Sequence, residues 1–273
     1  MKVLILGDRI KDLYTWCKAV KISPEAPALV VHVERETISA GGAGLVSENL
    51  ESLLLGQKRN VETIFGSVSY KHRIFADRTL LVRIDKDSVQ IREPEEYWKE
   101  IAPAVERADI IVVSDYGKGA IGKKIAQRLQ CVSKPLFVDA KDGIEKYKGC
   151  FAIFPNEHEH LNINPADFQH VIRKLGPRGC EVDGRLVPTK EQDVFDVTGA
   201  GDVFLAAFVF KYTEWCLRLT QPSVVDLIDC AKFANKAAGI SVQHMGTYVV
   251  RWEELFGGDF EKSNEEHNDS RGD

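Results

Sequence analysis

One stretch decides the organisation of this chain: Asp196-Val197-Thr198-Gly199-Ala200-Gly201-Asp202, followed directly by the apolar residues 203–210. A threonine before two glycines and an apolar run predicts a helix that begins near Gly199 and is capped by Thr198. The glycines allow three successive amides, from Gly199 to Gly201, to point into one small space. Because unpaired amides and the helix dipole both favour negative charge at a helix N-terminus, this turn is predicted to hold an anion.

Asp202 lies in the first turn of the predicted helix, aimed at the same space as the amides of Gly199, Ala200 and Gly201. A carboxylate beside an anion site is electrostatically unfavourable unless it takes a proton from an attacking hydroxyl group. We therefore expect Asp202 to be the general base of a phosphotransferase and the three amides to form its anion hole. The alternative is a glycine-rich helix start in which Asp202 only complements the helix dipole.

Composition narrows the class of protein. At 273 residues, with 44% hydrophobic content and a net charge of −5, the chain can bury one full core and is not a general nucleic-acid or membrane-surface binder. Six scattered cysteines without a C-x-x-C pair predict a reduced, cytoplasmic protein. The apolar run after Met1 is too short for a secretory signal, and no run approaches the roughly 20 residues of a membrane span.

Polar side chains recur at the ends of predicted strands. Buried strands, with helices between them at 94–107 and 121–129, are predicted at 3–6, 108–114, 135–138 and 150–154. The residues that follow these strands are Asp8 and Asp12, Asp115 and Lys118, Asp139 and Lys141, and Asn156 and Glu159. Because the carboxyl ends of parallel strands meet at one edge of a sheet, the pattern predicts an α/β fold with its active site at that edge.

The remaining segments complete the predicted fold. Further elements are a strand at 61–65, helices at 45–55, 203–212 and 224–244, and a β pair between 171–174 and 185–188 around Gly176-Pro177-Arg178-Gly179. Gly41-Gly42-Ala43-Gly44 precedes the helix at 45–55, and its glycines would let the backbone approach a ligand closely. The alternative is a plain junction between a loop and a helix.

Two β-rich segments lie outside the core pattern. The extended loop 22–27 leads into one at 28–34, and the other is at 79–84. They predict a small β lid, from about 14–40 and 70–86, that closes over a substrate and excludes water, although a surface hairpin without a role is also open. Four apolar residues of this small sheet would need cover, which predicts a homodimer through the lid. They are Leu29, Val31, Leu81 and Ile84.

Taken in order, these motifs resemble the ribokinase-like (PfkB) carbohydrate kinases. The motifs that carry the resemblance are Gly7-Asp8 with Asp12, Ile22-Ser23-Pro24-Glu25-Ala26-Pro27, Gly41-Gly42-Ala43-Gly44, Ser114-Asp115-Tyr116-Gly117-Lys118-Gly119, Val138-Asp139-Ala140-Lys141, Pro155-Asn156 with Glu159, 196–202, and 233–239 with Gly246-Thr247. The Ser-Pro-Glu-Ala-Pro loop and the Ser-Asp-Tyr-Gly-Lys-Gly turn most resemble the branch that phosphorylates D-glycero-β-D-manno-heptose 7-phosphate. The match spans about residues 2–252, and the polar, acidic residues 257–273 are expected to form a disordered tail.

The resemblance implies a Rossmann-like, mostly parallel sheet flanked by helices, with a β lid, within residues 1–256. It implies ATP and Mg²⁺ as cosubstrates, and transfer of the γ-phosphoryl group to the anomeric hydroxyl of a heptose 7-phosphate. The candidate sugar contacts are Asp8, Asp12, Gly41, Gly42, Asp115 and Lys118. The candidate nucleotide contacts are Lys141, Asn156, Gly176, Gly179, Thr198, Asn235 and Gly246. Asn156 and Glu159, an N-x-x-E motif, would organise Mg²⁺, mainly through water.

The chain also departs from the family pattern. Leu45 stands where the family usually has an asparagine that can hydrogen-bond a hydroxyl, so a different sugar or sugar phosphate remains open. The segments 65–69 and 159–168 lack elements that the family usually inserts, so a non-catalytic sugar- or nucleotide-binding protein also remains open. His158 and His160 form an H-x-H pair without a third ligand nearby in sequence, and we expect no transition-metal site there.

Overall fold

A computed structural model describes residues 1–54, 60–77, 79–87, 92–218 and 224–257. The strands are β1 Lys2–Ile22, β2 Leu29–Gly42, β3 Asn60–Ala76, β4 Thr79–Lys86, β5 Ile110–Asp115, β6 Leu136–Ala140, β7 Ala152–Ile153, β8 His170–Lys174, β9 Cys180–Val182 and β10 Arg185–Val187. The α-helices are α1 Ala43–Leu53, α2 Pro94–Arg107, α3 Lys123–Gln130, α4 Glu157–His160, α5 Ala200–Arg218, α6 Val224–Ser241 and α7 Trp252–Phe256. None of these helices is long and apolar enough to cross a membrane.

The sheet has the order β10-β9-β8-β7-β6-β5-β1-β3-β4, with β2 paired to β1. The strands from β8 through β3 run parallel, which confirms the predicted α/β fold. The residues of β5 and β6 are buried along the whole of each strand because helices cover both faces. Val3 and Ile5 of β1 lie in the core beneath α1, α5 and α6, whereas Leu4 and Leu6 lie in the core beneath α2 and α3.

The lid is an extension of the central strands. β1 and β3 continue together, in parallel register, as far as Cys17 and Ala76. β2 pairs antiparallel with the distal part of β1, and β4 pairs antiparallel with β3. The predicted strands at 3–6 and 61–65 were therefore much too short. Alternate residues of β1 point to opposite faces, so Asp12 and Tyr14 share the face toward the active site, here called the site face.

Helix α2 confirms the prediction at 94–107, but the predicted pairing of 171–174 with 185–188 was wrong. Strand β9 lies between these two segments and pairs antiparallel with both. β9 and β10 are joined by Asp183-Gly184, a two-residue turn in which both residues have positive φ. Asp-Gly between β-rich residues is a strong hairpin signal, and it marks the turn between β9 and β10 in this sequence. Leu55 of the predicted helix at 45–55 and residues 258–273 of the predicted tail lie outside the described residues.

Candidate active site

The carboxylate of Asp202 is buried in the first turn of α5, with 2% of the residue exposed. Its Oδ2 atom accepts hydrogen bonds from the Gly42 amide at 3.1 Å and from the Tyr116 hydroxyl at 2.9 Å. Within the described part of the chain, no donor reaches Oδ1, although that oxygen is buried. A buried carboxylate oxygen without a partner is costly, so Oδ1 is the place where a ligand hydroxyl can bind.

The environment of Asp202 makes it a stronger base than an ordinary aspartate. Burial raises the pKa of its carboxyl to about 6, and the neighbouring Asp139 carboxylate acts in the same direction. The ammonium groups of Lys141 and Lys174 and the hydrogen bond from Tyr116 oppose this rise in the pKa. A base with a pKa near 6 is still largely ionised at neutral pH, which suits proton abstraction.

The turn before α5 offers two unpaired amides. Among the described residues, no acceptor binds the amides of Gly199 and Gly201. The Ala200 amide differs from the prediction, because it donates to the Val197 carbonyl at 3.2 Å. The Thr198 hydroxyl was predicted to cap the helix but donates at 2.7 Å to Asp196 instead.

Gly199 is packed so tightly that only glycine fits. It has a φ of +77°, and a Cβ atom there would lie 2.4 Å from Leu45 Cδ2 and 3.1 Å from Thr247 Cγ2. Leu45 is 1% exposed and belongs to the core beneath α5. The Leu45 side chain therefore packs against the turn before α5 from the side of the core.

Two lysines flank the anion-hole turn. Lys174 binds Asp139 Oδ2 at 2.5 Å and Lys141 binds Asp139 Oδ1 at 2.9 Å. A Cβ atom on Gly201 would lie 3.4 Å from Lys174 Nζ, so this ammonium stands directly beside the turn. Burial raises the pKa of Asp139, but the two ammonium groups outweigh it and hold that pKa below its ordinary value. Lys174 was not among the predicted site residues, although it stands at the end of β8, where polar residues of the other strands were predicted to form the site.

Asp12 lies on the site face of the lid, close to the predicted sugar position. Its Oδ1 pairs with Arg73 Nη1 at 2.5 Å, and Arg73 also lies over the Tyr14 ring at 5.3 Å. A Cβ atom on Gly41 would lie 2.6 Å from Asp12 Oδ2, so the glycine lets the carboxylate approach the backbone. The amide of Gly42 is used by Asp202, as described above. Arg73 was not predicted as a site residue.

Three of the predicted sugar contacts, Asp8, Asp115 and Lys118, form hydrogen bonds or ion pairs with other groups of the protein. Asp8 accepts four hydrogen bonds, from Ser67, Tyr116, Lys118 and Ala120. Asp115 accepts from Gly117, Tyr147 and Lys146, and Lys118 pairs with Asp87 at 2.6 Å. Asp8 and Asp115 thus fix the loop after β5, and the expectation that these three side chains bind sugar stays a prediction. The residue of that loop that reaches the base is Tyr116.

The N-x-x-E motif forms a capping box at the start of α4. Asn156 Oδ1 accepts from the Glu159 amide at 2.8 Å, and Glu159 Oε2 accepts from the Asn156 amide at 2.7 Å. The other carboxylate oxygen, Glu159 Oε1, takes no part in the capping box and lies 3.7 Å from Lys141 Nζ. These contacts fit a metal held through water on Glu159, and they do not fit direct ligation by Asn156. In the described ranges, no group of three or more His, Cys, Asp or Glu side chains is placed to hold a metal ion.

Four of the predicted nucleotide contacts lie in two regions, one beside β9 and β10 and the other in the loop after α6. Asn235 donates to the Val187 carbonyl at 3.0 Å, and a Cβ atom on Gly179 would lie 2.3 Å from the same carbonyl. Gly176 opens the one-turn 3₁₀ segment that ends at Gly179. The Gly246 amide donates to Asp196 Oδ2 at 2.9 Å, which ties the loop after α6 to the loop before α5. The roles of these residues stay predictions.

Comparison with known sequences identifies a family. The model of the pfkB family carbohydrate kinases matches residues 76–254 of this chain. Similar curated proteins include the bifunctional protein HldE of a Nitratiruptor species, at 29% identity over 93% of this chain and 64% of the relative. The bifunctional protein HldE of Campylobacter curvus matches with the same identity and the same shares. The chain thus spans about 64% of the length of these relatives.

Comparison with solved structures concerns the fold. Ribokinase from Giardia lamblia matches with a TM-score of 0.65 and 17% identity, over 96% of this chain and 98% of its own. Phosphofructokinase-2 from Escherichia coli in complex with potassium matches with a TM-score of 0.67 and 14% identity, over 93% and 96% of the two chains. The shared architecture is the large, mostly parallel sheet flanked by helices that is described above.

Proposed function

This chain belongs to the pfkB family of carbohydrate kinases, and we propose that it transfers the γ-phosphoryl group of ATP to the anomeric hydroxyl of D-glycero-β-D-manno-heptose 7-phosphate, giving the 1,7-bisphosphate. The observation that carries the proposal is the buried, unpartnered Oδ1 of Asp202 beside the unpaired amides of Gly199 and Gly201. The choice of a heptose rests on the Ser-Pro-Glu-Ala-Pro and Ser-Asp-Tyr-Gly-Lys-Gly motifs and on the HldE relatives.

In the proposed reaction, the acceptor hydroxyl donates its proton to Asp202 Oδ1. The oxygen forms a bond to the γ-phosphorus as the bond from that phosphorus to the bridging oxygen breaks, and ADP leaves. The raised pKa of Asp202, about 6, favours uptake of this proton. Asp12 Oδ2 and the backbone at Gly41 are the groups that would bind other hydroxyls of the sugar.

Hydrogen-bond donors and a positive charge at the turn before α5 would stabilise the negative charge on the transferring phosphoryl group. The amides of Gly199 and Gly201 would donate to its equatorial oxygens, and Lys174 would add a positive charge beside them. The Ala200 amide joins them only if it releases the Val197 carbonyl. Mg²⁺, held through water on Glu159, would supply neutralisation of the ATP phosphates.

The test is release of ADP from ATP and Mg²⁺ with D-glycero-β-D-manno-heptose 7-phosphate, run beside a panel that includes ribose and fructose 6-phosphate. Turnover that is greatest with the heptose phosphate is the expected result. Greater turnover of another sugar would keep the kinase and reject the heptose. Binding by calorimetry without turnover of any sugar would favour a non-catalytic binding protein.

We also propose that the chain forms a homodimer through the lid. The face opposite Asp12 and Tyr14 carries a row, across the four strands, that begins at Ile38 and ends at Ile84. Ile38 is 70% exposed and Ile84 is 50% exposed, so this face presents apolar surface to water. A second copy of the same face would cover it, as in an isologous dimer.

Light scattering at micromolar concentration tests this dimer. The unmodified chain should have the mass of two copies, and Ile38→Glu should reduce it to one because the new charge would be buried at the interface. Leu161→Glu is the matched control, since Leu161 is 79% exposed and lies at the end of α4, away from the lid. An unmodified chain that is monomeric, or a dimer unaffected by Ile38→Glu, would contradict the proposal.

A further inference from the structure

Tyr116 is the residue of the loop after β5 that reaches the proposed base. Its hydroxyl donates to Asp202 Oδ2 at 2.9 Å. The Gly42 amide donates to the same oxygen, and a Cβ atom on Gly42 would lie 3.4 Å from the Tyr116 ring. The two donors therefore converge on one oxygen of the carboxylate and leave the other, Oδ1, without a donor from the described part of the protein.

The backbone of the loop holds Tyr116 in place. Its own amide donates to Asp8 at 2.7 Å, and the amides of Lys118 and Ala120 donate to the same carboxylate. The Gly117 amide donates to Asp115 at 2.9 Å. Asp8 is completely buried, so the loop is anchored to a carboxylate that water does not reach. The phenol is thus presented to Asp202 by a fixed backbone.

Two ammonium groups lie over the Tyr116 ring. Lys71 Nζ, from the lid part of β3, is 5.7 Å from the ring centre, and Lys141 Nζ, beyond β6, is 5.4 Å from it. A cation near the face of a phenol ring is attracted to it, so these two lysines help to hold the ring in place. Burial, followed by the charge of Asp202, raises the pKa of Tyr116 well above its ordinary value, so the phenol stays protonated as a donor.

We propose that Tyr116 is a positioning residue for the base: its hydroxyl holds Asp202 by Oδ2, which directs Oδ1 to the acceptor hydroxyl and keeps the carboxylate ionised. The inference rests on the proposed role of Asp202. A carboxylate oxygen that accepts a hydrogen bond is stabilised in its charged form, so the bond from Tyr116 opposes the effect of burial. The other charged groups that act on Asp202 are Lys141, Asp139 and Lys174.

Tyr116→Phe tests the inference because it keeps the ring and removes only the hydroxyl. We expect kcat to fall about tenfold, since one hydrogen bond to a charged group is lost. We also expect the acidic limb of the kcat/KM profile to move to higher pH by roughly half to one unit, because the pKa of Asp202 rises without its donor. The KM values for sugar and ATP should change less than about threefold. An unmoved acidic limb in a folded, active variant would overturn the proposal.

Tyr147→Phe is the matched control. Tyr147 is also buried, and its hydroxyl donates at 2.6 Å to a carboxylate of the same loop, that of Asp115. This variant loses an equivalent bond away from the base, so its melting temperature should fall while the acidic limb stays in place. A shift of the limb as large as that of Tyr116→Phe would show a general effect of the loop, and the proposal would fail.

A second measurement does not depend on turnover. The melting temperature of Tyr116→Phe, relative to the unmodified chain, should fall further at pH 8 than at pH 4.5, because the ionised Asp202 has lost a donor. The same substitution in an Asp202→Asn background should show no such dependence on pH. If the dependence persists in that background, Tyr116 does not act through Asp202. If Asp202→Asn itself retains near-normal turnover, it is the proposed base that fails.

Discussion

Replacement of Asp202 by asparagine should stabilise the folded protein while it removes activity. The buried carboxyl has a pKa of about 6 in the folded protein, against an ordinary value of 3.8. The unfolded chain therefore releases its proton at lower pH than the folded one does. Because the folded state binds more protons between these two values, its stability falls as the pH rises through this range, and the full cost remains above pH 6.

The magnitude follows from the two pKa values. A shift of about two units corresponds to about 3 kcal/mol of stability lost at pH 8, and about 1 kcal/mol at pH 4.5. Asparagine has no charge to bury, so Asp202→Asn should recover about 2 kcal/mol more at pH 8 than at pH 4.5. The amide keeps one oxygen for the Gly42 and Tyr116 donors, and any mismatch of its NH₂ group adds the same amount at both values of pH.

The assay is denaturant unfolding of the two proteins at pH 4.5 and pH 8, together with their turnover. Asp202→Asn should lose about 100-fold or more in kcat. Asp8→Asn is the matched control, because Asp8 accepts four hydrogen bonds and an amide can accept only half of them. That variant should lose stability at pH 8. A difference between Asp202→Asn and the unmodified chain that is the same at both values of pH would refute the reasoning.

Gly199→Ala should lower kcat/KM about 100-fold, since its Cβ atom would lie 2.4 Å from Leu45 Cδ2 and displace the anion-hole amides. Steady-state kinetics of the double variant with Leu45→Ala should recover part of this loss, and no recovery would assign the loss to the positive φ of Gly199 or its contact with Thr247 instead of the contact with Leu45. Lys174→Met should lower kcat about 10- to 100-fold with little change in the KM for sugar. An unchanged kcat would remove Lys174 from the transferring group and leave it only its contact with Asp139. Asp115→Asn should cost about 1–3 kcal/mol in thermal unfolding while the KM for sugar stays within about twofold; a tenfold higher KM with unchanged stability would restore Asp115 as a sugar contact.

The sequence was sufficient to predict the parallel core and the edge of the sheet at which the candidate site residues lie. Strand and helix periodicity, with polar residues after each strand, predicted the α/β fold and brought Asp202 and Asp139 to one place. The length of β1 and β3 could not be predicted in this way. Beyond the core their residues mix polar and apolar types without one clear period, and they remain in strands because β1 and β3 pair with each other and with β2 and β4.

The side chains of the loop after β5 show a different limit. Asp115 and Lys118 were predicted as sugar contacts from the family resemblance and from their place after a strand. In the structure, Asp8 accepts hydrogen bonds from the backbone amides of this loop, and these bonds orient Tyr116 toward Asp202. Which side chain of a short loop faces the cleft depends on hydrogen bonds to a residue more than 100 positions away, and no local pattern reports them.

The choice of Asp202 as the proposed base follows from the hydrogen bonds and ion pairs of the carboxylates at this edge. Five aspartates gather there, and each of them could have been proposed as the base from its position alone. Asp8 is saturated by four donors, Asp12 is paired with an arginine, Asp115 is bound by a lysine and a tyrosine, and Asp139 lies between two lysines. Donors or cations of the protein therefore already occupy each of these four carboxylates. Only Asp202 combines burial, a raised pKa and a buried oxygen without a donor in the described part of the chain, and these are the properties that proton abstraction requires.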